Sequence, residues 1–187
     1  QRNKLLKELY LHPDYREVLD VLDMQLVQYG SALIQRRQTF AEELGEIVHR
    51  IHSQLSGGQE EMELKYEPNV TVDAFAQMLF ANRERDMRLK TTATGPHRDD
   101  ISFVVNGVDI RKFGSQGQQR TAALSLKLSE IELVKRLIGD TPVLLLDDVL
   151  SELDSGRQNY LLNSIENIQT LITCTGLDEF VNHRFSI

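Results

Sequence analysis

The sequence predicts an α/β protein that carries a long helical arm, and three observations support that fold class. A short apolar run, Val143 to Leu146, ends in the adjacent carboxylates Asp147 and Asp148. Ahead of it lie a hairpin signal and a strong helix that opens with Ser115-Gln-Gly. Further upstream, apolar residues recur every three or four positions between Leu19 and Leu55.

Composition sets the frame for these elements. The chain has 187 residues and a mass of 21.4 kDa, with 41% hydrophobic residues, enough to build a core. A net charge of −7 argues against a generic nucleic-acid magnet, so any DNA contact must come from a local basic patch. The apolar runs fall short of a membrane span, and Gln1-Arg-Asn-Lys4 carries no signal-peptide pattern. One cysteine, Cys174, rules out an internal disulfide framework and suits a reducing, cytoplasmic compartment.

The expected organisation is a helical arm over 1–58, a returning strand and helix over 59–90, and the main α/β part over 91–187. Leu5, Leu6, Leu9 and Tyr10 read as the end of a helix closed by His12-Pro13. Leu19, Leu22, Leu26, Tyr29 and Leu33, then Phe40, Leu44, Ile47, Ile51 and Leu55, describe one amphipathic helix with a coiled-coil-like seam. The seam has a gap at Arg36-Arg37, and Gly30 and Gly45 weaken the helix locally. Leu55-Ser-Gly-Gly-Gln59 resembles a phosphate-binding signature in its letters. The acidic, strand-like Glu60-Glu-Met-Glu63 that follows would repel a phosphate, so this segment reads as a helix stop and turn.

Met62, Leu64 and Tyr66 alternate as a strand that Pro68 closes, and Val72, Phe75, Leu79 and Phe80 predict a helix to about Leu89. Ile101, Phe103 and Val105 form a second strand, turned by Asn106-Gly107 into Val108-Asp-Ile110. A helix carrying Ala122, Leu126, Ile131 and Leu137 stops at Gly139-Asp140. The strand 143–147, expected to be buried on both faces, a helix from Ser155 to Ile165 and a strand from Thr170 to Cys174 complete a β-α-β unit. Cys174, at the end of an apolar strand, reads as buried and inert.

Two segments carry candidate chemistry. Adjacent carboxylates raise each other's pKa, and a bound cation would relieve that cost at Asp147 and Asp148. Ser115-Gln-Gly-Gln-Gln-Arg120 opens the strong helix, where backbone N–H groups and the helix dipole favour an anion. Ser115 and Gln118 also have capping-box spacing, a common motif; with Gly117, Arg120 and the acidic strand downstream, the segment reads as phosphate-binding.

Gly95-Pro-His-Arg-Asp-Asp100, Gly114-Ser-Gln-Gly-Gln-Gln-Arg120, Leu124-Ser-Leu-Lys-Leu128 and Leu144-Leu-Leu-Asp-Asp-Val-Leu-Ser-Glu-Leu-Asp154 together resemble the RecF family of bacterial recombination mediators, relatives of SMC and ABC ATPase heads. Gln1-Arg-Asn-Lys-Leu-Leu-Lys7, and Gly57-Gly58 ahead of Leu64 and Tyr66, fit the same pattern. The resemblance implies part of an ABC/SMC-type P-loop ATPase head with an inserted, coiled-coil-like arm. It implies ATP and Mg²⁺ as cofactors, an ATP-gated homodimer, DNA at gaps or single-/double-strand junctions, and RecO and RecR as partners in recombinational repair and the SOS response.

In that pattern Asp147 holds Mg²⁺ through water, and Asp148 takes the place of the catalytic base, which is Glu in most ABC proteins. Ser115, Gln116, Gly117 and Gln118 form the signature, with Ser115 and Gly117 reaching the γ-phosphate held by the opposite subunit. Asp154 belongs to the D-loop at the dimer interface. Thr175 or Thr173 takes the switch position, usually His. No G-x-x-x-x-G-K-[ST] occurs, and none of the eleven glycines precedes a lysine. In the family that element lies towards the amino terminus, so the chain reads as a carboxyl-side piece that starts inside the arm.

Another SMC/ABC-type head, such as a transporter subunit, and a non-enzymatic dimerisation module are the competing readings. The Gly95–Asp100 block and the lack of a membrane-coupling feature weigh against a transporter. Residues 88–120 are locally basic, and Arg111 and Lys112 beside the hairpin are the DNA-phosphate candidates. Arg98 and Arg120 read as paired with nearby acids. His97 with Asp99 and Asp100 reads as a hydrogen-bond network rather than a metal site.

By itself this chain of 187 residues is expected neither to bind ATP tightly nor to hydrolyse it. Magnesium-dependent turnover by the purified chain, lost on Asp147→Asn, would overturn that expectation.

Overall fold

The computed structural model describes residues 1–9, 12–150 and 153–173. A short helix, α1 (Arg2–Glu8), is followed by a 3-10 turn at Pro13–Tyr15 and by α2 (Arg16–Leu55), which runs 40 residues without interruption. The helix thus runs through the Arg36-Arg37 gap and both glycines, but the seam is not the one expected. Tyr29, Leu33 and Phe40 are exposed, and the adjacent Gly30, Ile34 and Ala41 are buried instead, because a straight helix with about 3.6 residues per turn carries its buried face one position on. Gly57 and Gly58, each with positive φ, follow its end, so Leu55–Gln59 is the stop and turn that its acidic flank predicts. The chain then forms two compact units that interleave in sequence: residues 1–42 with 65–102, and residues 43–64 with 103–187. The boundaries expected near 58 and 90 each fall inside a unit.

In the first unit, Phe75, Leu79, Ile34 and Val70 form one small core and Leu5, Leu6 and Leu19 another. Here β1 (Met62–Glu67) ends, and the segment expected as one helix to Leu89 is two, α3 (Val72–Ala81) and α4 (Arg83–Leu89). Asn82 causes the break. Its backbone sits at φ −86°, ψ −1°, and its Nδ2 donates to Thr94 Oγ1 at 2.9 Å, a tertiary bond that a continuous helix would forfeit.

Buried Arg2 donates to Asp23 at 2.6 Å and to fully buried Asp86 at 2.7 Å, closing an ion pair that sequence periodicity does not signal. After a 3-10 turn at Pro96–Arg98, Asp99 accepts from Arg37 Nη1 at 3.0 Å, from Asn69 N at 2.9 Å and from the Tyr66 hydroxyl. Burial first, and then the bond to Asp99, pushes the Tyr66 phenol up to about 12. Asp99 thus enters a hydrogen-bond network as expected, but not with its neighbours: Asp100 is exposed, and His97 Nε2 lies 2.9 Å from Thr92 O.

In the second unit, β2 (Asp100–Val105) meets β3 (Val108–Asp109) across Asn106-Gly107, antiparallel, with Val105 opposite Val108. Both turn residues have positive φ, as a two-residue hairpin demands. The sheet order is β1-β2-β3. The strand expected to include Ile110 stops one residue earlier: Asp109 Oδ1 accepts from Arg111 N at 3.0 Å and caps a short helix, α5 (Ile110–Phe113).

Helix α6 (Gln116–Ile138) begins at the Ser115 cap and ends at left-handed Gly139. Then β4 (Leu144–Asp147), α7 (Ser155–Ser164) and β5 (Thr170–Thr173) form the β-α-β unit, parallel and in register from Leu144↔Thr170 to Asp147↔Thr173. The core gathers Ile47, Val48, Ile51, Leu124, Leu128, Leu146 and Leu161. One expectation fails: β4 is not buried on both faces. Leu146 is 5% exposed but Leu145 is 71% exposed, because among the described residues β4 pairs only with β5 and one face of that pair lies bare.

The two glycines inside α2 respond oppositely to alanine. A Cβ at Gly30 would lie 2.6 Å from Cε1 of fully buried Phe75, whereas one at Gly45 meets nothing closer than 3.7 Å. Gly30→Ala should therefore cost about 1–3 kcal/mol despite alanine's helix preference, and Gly45→Ala should gain up to about 1 kcal/mol. Urea denaturation midpoints that moved in the same direction for both variants would contradict this packing.

Candidate functional site at the carboxyl end of β4

Strand β4 delivers Asp147 and Asp148 to its carboxyl end, and Thr173, at the end of β5, meets both. Its hydroxyl donates to Asp147 Oδ1 at 2.5 Å, and the same oxygen accepts from Asp148 N at 3.1 Å. The Thr173 carbonyl accepts from that N–H as well, at 3.0 Å. Of the two threonines proposed for the switch position, Thr173 therefore lies against the acids, while Thr175 falls outside the described residues, as does Cys174. Asp148 has φ 51°, a left-handed conformation that costs a residue with a Cβ about 1–2 kcal/mol. Aspartate tolerates it better than most, and such strain collects where function requires a particular side-chain direction.

The start of α6 faces the same acids. A cleft of about 590 Å³ is lined by Gln116, Arg120 and Lys127 from α6, by Leu145 and Asp147 from β4 and by Asp148 just beyond it. At the helix start, Ser115 and Gln118 form a complete capping box: Ser115 Oγ accepts from Gln118 N at 3.2 Å, and Gln118 Oε1 accepts from Ser115 N at 3.1 Å. The capping reading and the phosphate-binding reading are compatible. The box uses the Ser115 oxygen as acceptor and leaves its O–H to donate, and the first backbone N–H groups of a helix have no intrahelical acceptor. Among the described residues a Cβ at Gly117 would meet only Ser115 Oγ, at 3.9 Å, so their packing does not require that glycine. Ser115, Gly117 and Gln118 are not among the residues lining the cleft.

Asp154 also lies off the cleft, at the start of α7. It accepts from Arg157 N at 3.0 Å and from Arg157 Nη1 at 2.5 Å. The Arg157 backbone N–H first, and then its guanidinium, hold the Asp154 carboxyl below its usual value. Arg111 and Lys112 share one acid: Lys112 Nζ lies 3.1 Å from Asp109 Oδ2, and this contact leads in holding the Asp109 carboxyl low.

Comparison with known proteins decides the family. The DNA replication and repair protein RecF of Agathobacter rectalis is 60% identical over 187 residues, which is 100% of this chain and 52% of that protein. The RecF of Lachnospira eligens is 57% identical over 100% of this chain and 52% of its own length. This chain belongs to the RecF family. It spans about half the length of the curated relatives it matches. Two solved structures, of the recombination mediator protein RecF-ATPrS and of RecF-ATP in the RecFOR pathway, match with a TM-score of 0.84 at 36% and 35% identity. Each match covers 95% of this chain and 50% of the other. No protein-family model matches the chain. The α/β fold is that of part of an ABC/SMC-type head, as the RecF resemblance implies. Among the described residues, no helix is long and apolar enough to cross a membrane.

The residue that sequence reading missed is His52. It is 0% exposed, its Nδ1 lies 2.9 Å from Ser125 Oγ, and its Nε2 lies 3.2 Å from Glu60 Oε2. A carboxylate can only accept, so a neutral ring that donates to Glu60 carries its proton on Nε2, and its Nδ1 then competes with Thr121 O, 2.7 Å away, for the Ser125 hydroxyl proton. The available signal was its place among Val48, Ile51 and Leu55 on the apolar face, opposite the four-residue spacing of Thr121, Ser125 and Ser129.

Burial lowers the His52 pKa from 6.5, helped by the Arg157 and His49 charges and opposed by Glu60. The unfolded ring takes up its proton near 6.5 while the folded ring resists it, so this group's contribution is whole above that value and is lost as pH falls below it. Unfolding free energies measured on either side should show that fall, and His52→Gln should flatten it. A fall that survives the substitution would assign the effect to another group.

Proposed function

We propose that this segment supplies two walls of a composite ATP site in a DNA-repair ATPase of the RecF type. Asp147 and Asp148 form the metal and hydrolytic wall, and Ser115-Gln-Gly-Gln118 forms the start of a helix that receives the γ-phosphate held by a second copy. The observation that carries this reading is the union of the two acids by one Thr173 hydroxyl at the end of β4, with α6 opening toward the same cleft. RecF relatives solved with ATP and ATPrS support nucleotide as the ligand.

Oxygen donors at a strand end suit a hard cation, so Asp147 fits Mg²⁺ held through water, with Thr173 fixing the carboxylate's orientation. The metal would supply charge neutralisation on the phosphates. Asp148, turned outward by its left-handed backbone, would take a proton from the attacking water. Asp154 caps α7 and would present its loop to the second subunit. Thr175 is the other candidate for the switch position by family resemblance. Arg111 and Lys112, paired around Asp109 beside the hairpin, would contact DNA phosphates at a gap or strand junction, where RecO and RecR act with the closed dimer.

The test uses a full-length RecF-family protein that carries this segment. Sedimentation should show ATP driving a monomer to a dimer, and Ser115→Arg should abolish that shift. Asp148→Asn, which asparagine's tolerance of the left-handed region should let fold, should dimerise but lose turnover by about a hundredfold or more. Arg111→Ala with Lys112→Ala should weaken DNA binding and reduce the salt slope by about two. Dimerisation by Ser115→Arg, or wild-type turnover by Asp148→Asn, would dispose of the composite site.

A further inference from the structure

Glu60 bridges the capping box at the start of α6 and the buried His52 of α2. Its Oε1 accepts from Gln118 Nε2 at 3.0 Å, and its Oε2 faces Nε2 of fully buried His52. It lies in the turn after α2, where its N–H donates to Ser56 Oγ at 3.2 Å. Its side chain is 21% exposed, so water competes with these bonds only partly.

The chemistry of the pair is directional. A glutamine side chain offers an oxygen at one edge and an NH₂ at the other, and a capping box needs the oxygen toward the N-cap amide. A carboxylate accepts and cannot donate. Glu60 therefore obliges Gln118 to turn its NH₂ outward and its oxygen onto Ser115 N, which lies 3.1 Å away. With the amide flipped, NH₂ would face N–H and the box would open. The Ser115 backbone N–H would then lose its acceptor, and residue 115 would be held in its N-cap position by the Gln118 N–H to Ser115 Oγ bond alone. On the other side, His52 can hold Glu60 only from the last turn of α2, where Ser125 of α6 engages its second nitrogen.

We infer that Glu60 is a positioning residue for the phosphate-facing segment 115–118, orienting Gln118 and thereby Ser115, and linking their geometry through His52 to the end of α2. It touches neither nucleotide nor metal. This inference rests on the reading of 115–118 as the surface that meets the partner's γ-phosphate. The acidic flank that excludes phosphate from 55–59 thus serves the helix start that receives it.

Three variants of the full-length protein test it, with nucleotide affinity of the monomer measured beside ATP-dependent dimerisation. Glu60→Ala should weaken the dimer about tenfold, the effect of one lost hydrogen bond in the closed state, and leave monomer nucleotide affinity unchanged. Glu60→Gln should dimerise close to wild type, because its oxygen still accepts from Gln118 and, with the His52 proton on Nδ1 donated to Ser125 Oγ, its NH₂ can donate to His52 Nε2. Should Glu60→Ala not fold, Glu60→Gln decides alone: a folded protein that has lost dimerisation overturns the inference. So does Glu60→Ala dimerising like wild type, losing nucleotide affinity in parallel, or matching Glu60→Gln. Ser115→Arg separates the two levels, since a Ser115→Arg protein that still dimerises with ATP removes the underlying site assignment instead.

Discussion

One side of α6 constrains everything around it in the second unit. Thr121, Ser125 and Ser129 stand four residues apart and are all fully buried. Thr121 Oγ1 donates to Gly117 O at 2.8 Å and Ser129 Oγ donates to Ser125 O at 2.6 Å, so their polarity is met inside their own helix. Ser125 has a choice, with Thr121 O at 2.7 Å and His52 Nδ1 at 2.9 Å. Three small side chains in a row make a flat stripe with no unpaired polar group, and a stripe of that kind admits the His52 ring, which larger residues would exclude. A leucine at 125 would displace the ring and orphan its Nδ1. The direction of α6, and with it the presentation of Ser115 at its start, is fixed by that fit.

The acids at the end of β4 are held by a different economy. A two-stranded sheet with one bare face cannot bury two carboxylates, and it does not try: Asp147 and Asp148 stay exposed. Their order comes from Thr173, one hydroxyl serving as donor to one acid and acceptor for the next residue's N–H. Orientation by hydrogen bonding in an exposed place leaves the oxygens accessible, a requirement for any site that must exchange its ligand.

Most of this was legible in the sequence, and the parts that were not share a cause. Periodicity gave α2 and α6, alternation gave β1 and β2, and Asn106-Gly107 gave the hairpin, because each is a local signal. The break at Asn82 depends on Thr94, the stop of β3 depends on a cap that competes with a strand of two residues, and the bare face of β4 depends on which strands lie beside it. None of these is written in the segment it alters. Arg2 is the extreme case: a charged residue in the first turn of a short helix is buried because Asp23 and Asp86 surround it.

The capping box at 115–118 shows why motif and function need not compete. Ser115 and Gln118 would be explained fully by helix termination, and every bond of the box is made. Yet a residue that only caps has no use for the glycine two places on, which weakens a first turn by about 1 kcal/mol and is not demanded by any neighbour among the described residues. Nor does a surface cap need a carboxylate and a buried histidine to fix which way its glutamine points. The cap makes the helix start rigid, and the glycine keeps it open to close approach. Rigidity with open access is what a surface that must recognise a phosphate from another molecule requires, since order established before the encounter is not paid for during it.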